Sequence, residues 1–385
     1  MLSHKEQVVQ KLEDSYMKLV SFAKDVKDGL MASESCFEPL IPGLPDDIAL
    51  SCLLRLPVEF HSGGSSVCRR WCNVFGDKGR FFRLRKEMGL IDPWLFVFCY
   101  DKCSGKVQWY VLDVVSFSWH MIPEMPCVEK VCGHGFRCVS VPRDGSVLVC
   151  GGSLDFVLKF DVCMNEWIVM KKMITPRSFF ASGVIDGMVY VAGGNGNDGF
   201  ELNSGEVMDL KDGVWKPIAG MGAGMACYDA VVLEGKLYVT EGWFWPFYFA
   251  PRGQVYNPRM DKWECMATGL REGWTGSSVV MFGYLFVVSE HERTKLKVYD
   301  SRNDVWETVK GSPLPEQICK PFVVNGCNDK IYVTGKDLYV AVGSIHRLCT
   351  TSTDENLDFL VEWQVVEAPA GISDMAPSSA QVIFA

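Results

Sequence analysis

Short groups of cysteine and histidine are the residues best placed to do chemistry in this chain. Three groups have spacings that resemble half of a zinc site: Cys68/Cys72, Cys99/Cys103 and Cys132/His134/Cys138. A structural zinc ion usually takes four ligands from two such halves, and no second half follows any of them. The chain has only six histidines, and it has no nucleophile elbow, phosphate-binding loop or HExxH motif. The sequence therefore predicts no metal ion, no cofactor and no catalytic centre.

Composition and charge restrict the partners that the chain can have. Of the 385 residues, 48% are hydrophobic and 22% are charged, and the formal net charge is −9. An acidic chain without a lysine- and arginine-rich run is poorly suited to nucleic acid or to an anionic membrane. No apolar stretch approaches the ~18 residues of a membrane span, and the N-terminal residues are charged where a signal peptide is apolar.

The chain contains 16 cysteines, and many of them stand inside apolar runs. A free thiol in such a run serves as a small core side chain. The density is also well below that of a small disulfide-linked secreted domain. We therefore expect reduced thiols and a cytoplasmic and/or nuclear protein.

Tryptophan recurs at a nearly constant interval through most of the chain. Intervals of 48, 48, 48 and 43 residues separate Trp119, Trp167, Trp215, Trp263 and Trp306. Seven residues before each tryptophan, an apolar residue precedes Asp or Asn: Leu112-Asp113, Phe160-Asp161, Met208-Asp209, Tyr256-Asn257 and Tyr299-Asp300. A sixth copy keeps Trp363 but lacks this pair. Such self-similarity is typical of a repeat architecture.

Each repeat begins with two β-like runs around a short turn. In the clearest copies, a glycine ends the turn at Gly187, Gly235 and Gly283. This pattern predicts a tight hairpin, whose central residues need positive φ. With one strand before the Asp or Asn and one at the tryptophan, each repeat has four short strands, which predicts a β-propeller.

The repeats resemble kelch repeats over residues 94–385, through the Gly-Gly pairs of VLVCGG and VYVAGG, the downstream Tyr-Asp and the tryptophan. The resemblance implies a mainly β fold, with a six-bladed kelch β-propeller at residues 91–385. The first repeat, which begins with WLFVFCY, has no preceding inner strand, and SSAQVIFA at 378–385 has no repeat of its own. We therefore expect Gln381–Phe384 to complete the first blade.

Residues 37–90 predict a small helical region. Pro45 followed by Asp46 and Asp47 is typical of a helix start. The helix that follows is apolar on nearly every side until Pro57 stops it, so it needs cover from its own unit and from a partner. A second amphipathic helix is predicted by the four-residue spacing of Val67, Trp71 and Phe75.

The order L-I-P-G-L-P-D-D-I-A, C-L, R-L-P and V-C-R-R-W resembles an F-box, particularly the form that precedes kelch repeats in plant proteins. The resemblance implies docking on the Skp-type adaptor of an SCF ubiquitin ligase, and through it on cullin and RING subunits. The expected adaptor contacts are Leu44, Pro45, Ile48, Leu53, Leu56, Pro57, Val67 and Trp71. The chain departs from the pattern at Gly64, where an F-box usually has an apolar residue. Either Gly63 and Gly64 lie in a loop, or they weaken adaptor binding.

Residues 1–36 predict an N-terminal amphipathic helix and a linker. Apolar residues are spaced three and four apart at Val9, Leu12, Tyr16, Leu19, Ala23, Val26 and Leu30. This is the spacing of a coiled-coil seam, although three heptads are short. Two alternatives stay open: docking on the helical region, or a dimer through this helix.

The segment EGWFWPFYFAPRG at 241–253 interrupts its repeat with an aromatic run. It falls between the second and third strands of a blade, on the face that also carries the connections between blades. The rings either cover the blade edge or bind a partner, because no basic cluster accompanies them for a membrane. We expect a target-binding face formed by His134, Phe136, Arg137, Arg177, Phe179, Tyr228, Trp243, Phe244, Trp245, Phe247, Tyr248, Arg271 and Trp274.

These patterns together predict a non-catalytic substrate receptor of an SCF ubiquitin ligase, whose propeller binds an unidentified target protein. One alternative is a kelch scaffold or interaction protein without a ligase role. A second alternative is a metal-dependent kelch enzyme, which the scarcity of histidine disfavours.

Overall fold

The computed structural model describes residues 39–56, 60–90, 92–126, 135–141, 145–152, 157–162, 165–226, 229–242, 249–290, 295–348, 357–368 and 372–384. The chain divides into two compact units, Met1–Ile91 and Asp92–Ala385. The predicted N-terminal helix lies outside the described residues.

The first unit is helical where it is described. Its helices are α1 (Asp46–Leu54), α2 (His61–Ser65), α3 (Arg69–Gly76) and α4 (Lys78–Glu87). The core consists of Leu40, Ala49, Leu50, Leu53, Leu54, Phe75, Phe81 and Leu84. Buried Arg85 donates from Nη1 to the carbonyl oxygens of Leu54 and Leu56, at 2.5 and 2.9 Å. A guanidinium suits the end of α1, where carbonyl groups lack helical partners and the helix dipole is negative.

The second unit is a ring of six sheets, antiparallel except for one two-residue strand in the last blade, which confirms the predicted six-bladed propeller. Blade 1 contains β1 (Pro93–Asp101), β2 (Val107–Asp113), β3 (Trp119–Met121) and the last strand, β25 (Met375–Phe384). Blade 2 contains β4 (Phe136–Val141), β5 (Ser146–Gly151), β6 (Val157–Asp161) and β7 (Glu166–Met170). Blade 3 contains β8 (Ala181–Ile185), β9 (Met188–Ala192), β10 (Gly205–Asp209) and β11 (Val214–Ile218).

The remaining blades complete the ring. Blade 4 contains β12 (Asp229–Leu233), β13 (Lys236–Thr240), β14 (Gly253–Asn257) and β15 (Lys262–Cys265), followed by helix α5 (Thr268–Gly273). Blade 5 contains β16 (Ser278–Met281), β17 (Tyr284–Val288), β18 (Leu296–Asp300) and β19 (Val305–Thr308). Blade 6 contains β20 (Lys310–Gly311), β21 (Val323–Cys327), β22 (Lys330–Thr334), β23 (Val340–Arg347) and β24 (Phe359–Val366), with a 3₁₀ turn at Lys336–Leu338.

Strand β25 closes the ring, as the sequence predicted, and it is longer than predicted. It pairs antiparallel with β1 from Pro93 opposite Phe384 to Asp101 opposite Met375. The amide of Gln381 also reaches the next blade, where Oε1 accepts from Ser140 N and Nε2 donates to Cys138 O, both at 2.9 Å. The innermost strand of blade 1 is therefore hydrogen-bonded along the sheet and across to blade 2.

All six repeat tryptophans donate the indole N–H to a carbonyl oxygen in the connection that follows the preceding blade, at 2.8–3.2 Å. The acceptor lies one or two residues after a strand of that blade for Trp119, Trp167, Trp215 and Trp263, in helix α5 for Trp306, and directly after β20 for Trp363. The pairs are Trp119–Glu367, Trp167–Pro123, Trp215–Lys171, Trp263–Ala219, Trp306–Gly269 and Trp363–Ser312. The bond from Trp119 joins blade 1 to blade 6, so these contacts run around the whole ring.

The seven-residue spacing before each tryptophan follows from strand pairing. The apolar residue lies directly across from the indole in the neighbouring strand, as Met208 does opposite Trp215. The Asp or Asn after it begins the intervening turn, where Oδ1 of Asp209 accepts from Lys211 N at 2.9 Å. In blade 6 the partner of Trp363 is Gly343, at which a Cβ would lie 2.7 Å from the indole ring. In the sixth copy a glycine therefore stands where the other repeats have an apolar residue, and the indole ring of Trp363 packs closely against the backbone of Gly343.

The predicted hairpins also form with positive φ in their turns. Asp186 and Gly187 have φ of 51° and 81°, and Phe282 and Gly283 have φ of 53° and 78°. Because strands alternate in direction, these turns lie on one face of the ring, which we call the hairpin face. The opposite face, called the connection face, carries the links between second and third strands and between blades.

The contribution of the indole hydrogen bond can be measured with two matched substitutions. Trp215 and Trp109 are both 6% exposed, but Trp109 Nε1 finds no acceptor among the described residues. Trp215→Phe removes a hydrogen bond that Trp109→Phe does not, so we expect it to lower the free energy of unfolding by about 1 kcal/mol more. Urea titration followed by circular dichroism provides the comparison. Equal losses for the two variants would contradict a role for the N–H.

Ring closure by β25 is testable by truncation. Removal of residues 378–385 leaves the edge of β1 without most of its partner, and an unpaired edge promotes aggregation. We expect the shortened chain to aggregate and to melt at a lower temperature in light-scattering and calorimetric measurements. An unchanged melting temperature in a soluble monomer would rule out closure by this strand.

Candidate partner-binding surfaces

Helix α1 has an apolar face that its own unit leaves open. Its inner face consists of buried Ala49, Leu50, Leu53 and Leu54. On the outer side, Leu44 and Ile48 are 37% and 49% exposed, and Pro45 is exposed between them. A contiguous group of exposed aliphatic side chains on so small a unit indicates a binding partner.

The segment before α1 is held in one conformation. Leu44 N donates to Ile41 O at 3.1 Å, and Gly43 has a φ of 85°. This is a turn with Pro42 and Gly43 at its central positions, where proline fixes φ and glycine accepts the positive value. The turn presents Leu44 next to the start of α1.

Asp46 and Trp71 attach this segment to helix α3. Asp46 accepts from Leu40 N and from Arg70 Nη2, both at 2.7 Å, and Trp71 Nε1 donates to Leu40 O at 2.7 Å. Partial burial alone would raise the pKa of Asp46, but the hydrogen bonds from Leu40 and Arg70 outweigh it and hold the pKa below its usual value. The ionised carboxylate therefore helps to hold the turn on α3.

These contacts correct part of the predicted adaptor surface. Leu53 is only 1% exposed and belongs to the core, so it is not available to a partner. Trp71 and Leu56 are half-buried against the same core. Val67 is 63% exposed and Pro57 lies outside the described residues.

The Gly63–Gly64 segment lies in a short helix, so the first of the two predicted alternatives, a loop, is wrong, and weakened adaptor binding stays a prediction. Gly64 is buried, and a Cβ there would lie 2.6 Å from Cε2 of Phe75. The Phe75 ring also packs against His61 and Phe81, with centroids 5.3 and 5.0 Å apart. The aromatic ring therefore occupies the space that an apolar side chain at position 64 would fill.

In the propeller, the inner strands of the six blades enclose a channel of about 570 Å³. Toward the connection face its lining includes Arg137, Ser182, Asp229 and Ser278. Toward the hairpin face it includes Val184, Val232 and Val280. The channel is therefore polar at the end where the sequence predicted a target-binding face.

Asp229 joins blade 4 to blade 5 at this end of the channel. Its Oδ2 accepts from Ser278 N at 2.9 Å, Ser278 Oγ at 2.5 Å and Trp274 Nε1 at 3.2 Å. Desolvation raises the pKa of Asp229, although these donors and the charge of Arg137 oppose the shift. Trp274 is completely buried, so its predicted exposure on the target-binding face is wrong.

Arg177 is also buried, which overturns its predicted role in target binding. Its Nη2 lies 2.7 Å from Glu206 Oε1, and its Nη1 donates to the carbonyl oxygens of Gly193 and Ser204 at 2.8 and 2.9 Å. Glu206 in turn accepts from the backbone N–H groups of Ile174 and Thr175 at 2.7 and 2.9 Å. The ion pair holds the link between blades 2 and 3 against the sheet of blade 3.

The other predicted target-face residues divide between interior and surface. Phe136 is buried, with its ring centroid 6.0 Å from that of Phe98, so its predicted surface role is wrong. Arg137 lines the channel and donates from Nε to Phe180 O at 2.9 Å. Arg271 lines a groove of about 510 Å³ on the outer side of blade 4. Phe179 is 47% exposed on the link into blade 3.

Seven of the predicted residues lie outside the described residues: His134, Tyr228, Trp243, Phe244, Trp245, Phe247 and Tyr248. Their predicted part in target binding stays a prediction.

Two exposed aromatic residues were missing from the predicted face. Phe200 and Phe249 are 74% and 87% exposed, on the β9–β10 and β13–β14 connections. Phe249 ends the aromatic run itself, so the signal was present. Phe200 stands alone in GGNGNDGFELNSGE, where the polar and glycine-rich composition concealed it.

The described residues contain no group of three or more His, Cys, Asp or Glu side chains that could hold a metal ion. No helix in the described ranges is long and apolar enough to cross a membrane. The ten cysteines whose placement is described are all free thiols, among them buried Cys99, Cys138 and Cys150. Burial raises the pKa of all three thiols, to about 12 for Cys99 and Cys138.

Comparison with known proteins finds a kelch family model in the propeller and relatives that align along the chain. The family model for the FKB95, Kelch-repeats domain matches residues 148–345. The F-box/kelch-repeat protein At1g30090 of Arabidopsis thaliana is 53% identical, over 100% of this chain and 99% of the relative. The F-box protein AFR of Arabidopsis thaliana is 36% identical, over 90% of this chain and 93% of the relative.

The chain belongs to the F-box/kelch-repeat family. F-box/kelch-repeat protein At1g67480 of Arabidopsis thaliana is more distant, at 31% identity over 71% of this chain and 73% of the relative. The first alignment includes the helical unit as well as the propeller, since it covers 100% of the chain. The relatives' names contain both the F-box and the kelch repeats that the sequence predicted.

In this F-box/kelch-repeat protein, we expect Arg177 to stabilise the propeller. Arg177→Ala leaves the Glu206 carboxylate buried without its guanidinium, which typically costs about 3–5 kcal/mol. The matched control Arg259→Ala removes an exposed arginine and should change the free energy of unfolding by less than about 0.5 kcal/mol. Chemical denaturation of both variants measures the difference. A stable Arg177→Ala propeller would contradict a structural role for the pair.

Proposed function

We propose that this protein is the substrate-recognition subunit of an SCF-type ubiquitin ligase. Its F-box unit docks on a Skp-type adaptor, which connects it to cullin and RING subunits. Its kelch propeller binds a target protein and presents it for ubiquitin transfer. The proposed role is non-catalytic, and the proposed location is the cytoplasm and/or the nucleus.

The observation that carries the proposal is the open apolar face of helix α1. The helix buries one side in its own core, while Leu44, Pro45 and Ile48 remain exposed on the other. Exposed aliphatic side chains are costly in water unless a partner covers them. The turn and the Asp46–Arg70 pair hold these side chains in place before binding, which reduces the entropy lost on association.

The propeller supports the second half of the proposal. Regular hairpin turns occupy one face, whereas longer and less regular connections occupy the other. Recognition residues are commonly placed on such connections, because a rigid scaffold positions them and their sequence can vary. Exposed Phe179, Phe200 and Phe249 all lie on these connections.

A second candidate is a kelch scaffold protein without a ligase role. The scaffold role applies if the departure from the F-box pattern at Gly63 and Gly64 prevents adaptor binding. Because Phe75 fills the space above Gly64, the core of the unit is packed there, which favours the ligase role instead.

Adaptor binding can be tested with the complete chain and a purified Skp-type adaptor. Ile48→Glu puts a charge on the exposed face without entering the core, so its thermal unfolding should match that of the unmodified chain. Its dissociation constant should rise by about 30-fold or more, as for the loss of a central apolar contact. Calorimetric titration and co-purification measure the effect.

The control is Arg83→Glu, at an exposed arginine on helix α4. It introduces the same side chain on the same unit and should bind the adaptor normally. Normal binding by Ile48→Glu, or no binding by the unmodified chain, would contradict the proposed docking surface.

A further inference from the structure

We propose that the target docks over blades 3 and 4, on an aromatic rim formed by Phe179, Phe200 and Phe249. The segment it recognises carries apolar or aromatic side chains next to a lysine or arginine. This inference rests on the proposed function and specifies the partner of the propeller.

The rim contains large apolar side chains that the fold does not cover. Phe179, Phe200 and Phe249 are 47%, 74% and 87% exposed. They come from three connections on the same face: the link into blade 3, the β9–β10 connection and the β13–β14 connection. Aromatic side chains on a fixed backbone are the usual anchors of a protein interface.

Hydrogen bonds fix the backbone beneath the first two rings. Ser178 pairs with Asn195, and Asn195 pairs with Glu201, in a small antiparallel ladder above blade 3. Phe179 directly follows Ser178, and Phe200 directly precedes Glu201. The carbonyl of Phe200 also accepts from Gly196 N at 2.9 Å, and Phe179 N donates to Gly135 O at 3.1 Å.

Arg252 joins this ladder to the connection of blade 4. Its Nη2 donates to both carboxylate oxygens of Glu201, at 2.9 and 3.1 Å, and its Nε donates to Glu241 Oε2 at 2.6 Å. Glu241 and Arg252 lie at the two ends of the β13–β14 connection, and Arg252 Nη1 also donates to Gly224 O at 2.7 Å. A planar guanidinium with several donors thus holds two connections together and leaves Phe249, three residues away, exposed.

The charges around the rim indicate what it attracts. Glu201 and Glu241 share the single guanidinium of Arg252, and exposed Asp198 stands two residues before Phe200. Carboxylates therefore outnumber guanidinium groups three to one in the described part of these two connections. In the channel, the positive charge of Arg137 already balances the negative charge of Asp229. Lys171 and Lys172 follow β7, the outermost strand of blade 2, and so lie at the periphery. A basic residue beside the apolar anchors of the target complements this surface.

The test uses the complete chain and a phage-displayed library of random peptides. Selected peptides should combine apolar or aromatic residues with lysine or arginine. Their affinity, measured with synthetic copies, should fall about tenfold or more with Phe200→Ala and with Phe249→Ala. Met260→Ala, at an exposed apolar residue on the hairpin face of blade 4, should leave affinity unchanged.

The charge is tested separately with a matched pair of variants. Asp198 Oδ1 accepts from Phe200 N, and Asp212 Oδ1 accepts from Val214 N on the opposite face of the same blade. Replacement by asparagine keeps the accepting oxygen and removes only the charge. Asp198→Asn should weaken binding of the basic peptides and reduce its dependence on salt, whereas Asp212→Asn should do neither.

The proposal is overturned if no peptide is selected, if the selected peptides are acidic, or if the rim variants bind them normally while folded. Adaptor binding by the same variants separates this result from the ligase role. If the chain binds the adaptor but binds no peptide at the rim, only this inference is wrong. If the chain binds peptides at the rim but not the adaptor, only the proposed ligase role is wrong.

Discussion

The propeller depends on one recurring contact, the indole N–H that reaches from each blade to the preceding one. A blade by itself is a four-stranded sheet with two apolar faces, and it cannot bury them alone. The indole supplies apolar area between neighbouring sheets and, with its N–H, satisfies a backbone carbonyl where the chain leaves the previous blade. In blades 4 and 5 an aspartate strengthens the same junction, because Asp261 accepts from Ala219 N and Asp304 from Gly269 N, both at 2.8 Å. The position of each blade relative to the next is thus set by hydrogen bonds as well as by packing.

This contact explains why so much of the fold could be predicted. The tryptophan, its cross-strand partner and the Asp or Asn of the turn are local in sequence, so their spacing is constant. Glycine-ended hairpins are equally local, because positive φ restricts the residues that a tight turn accepts. The longer β25 was foreseen only in its last residues, since its first half, Met375–Ser379, is not a continuous apolar run.

The candidate sites were harder to predict, because burial depends on residues that are distant in sequence. Arg177 resembles a surface arginine until Glu206 is placed beside it by the fold of blade 3. Trp274 resembles an exposed anchor until Asp229, from the preceding blade, accepts its N–H. In the helical unit, the pattern showed that α1 is apolar all round, but only packing distinguishes buried Leu53 from exposed Ile48. Phe200 is a single aromatic residue in a polar segment, so no sequence pattern marked it as a surface residue that could bind a partner.

Closure of the ring by β25 also affects the order in which the propeller can form. Blades 2 to 6 are each built from contiguous sequence, so each can form its sheet as soon as its own strands are available. Blade 1 needs β1 and β25, which the whole ring separates, and closing so long a loop is slow. During synthesis, β1 emerges before every other strand and then waits for the last one. The nascent propeller therefore passes through a period with an open sheet edge, and the time that protein synthesis takes becomes part of its folding.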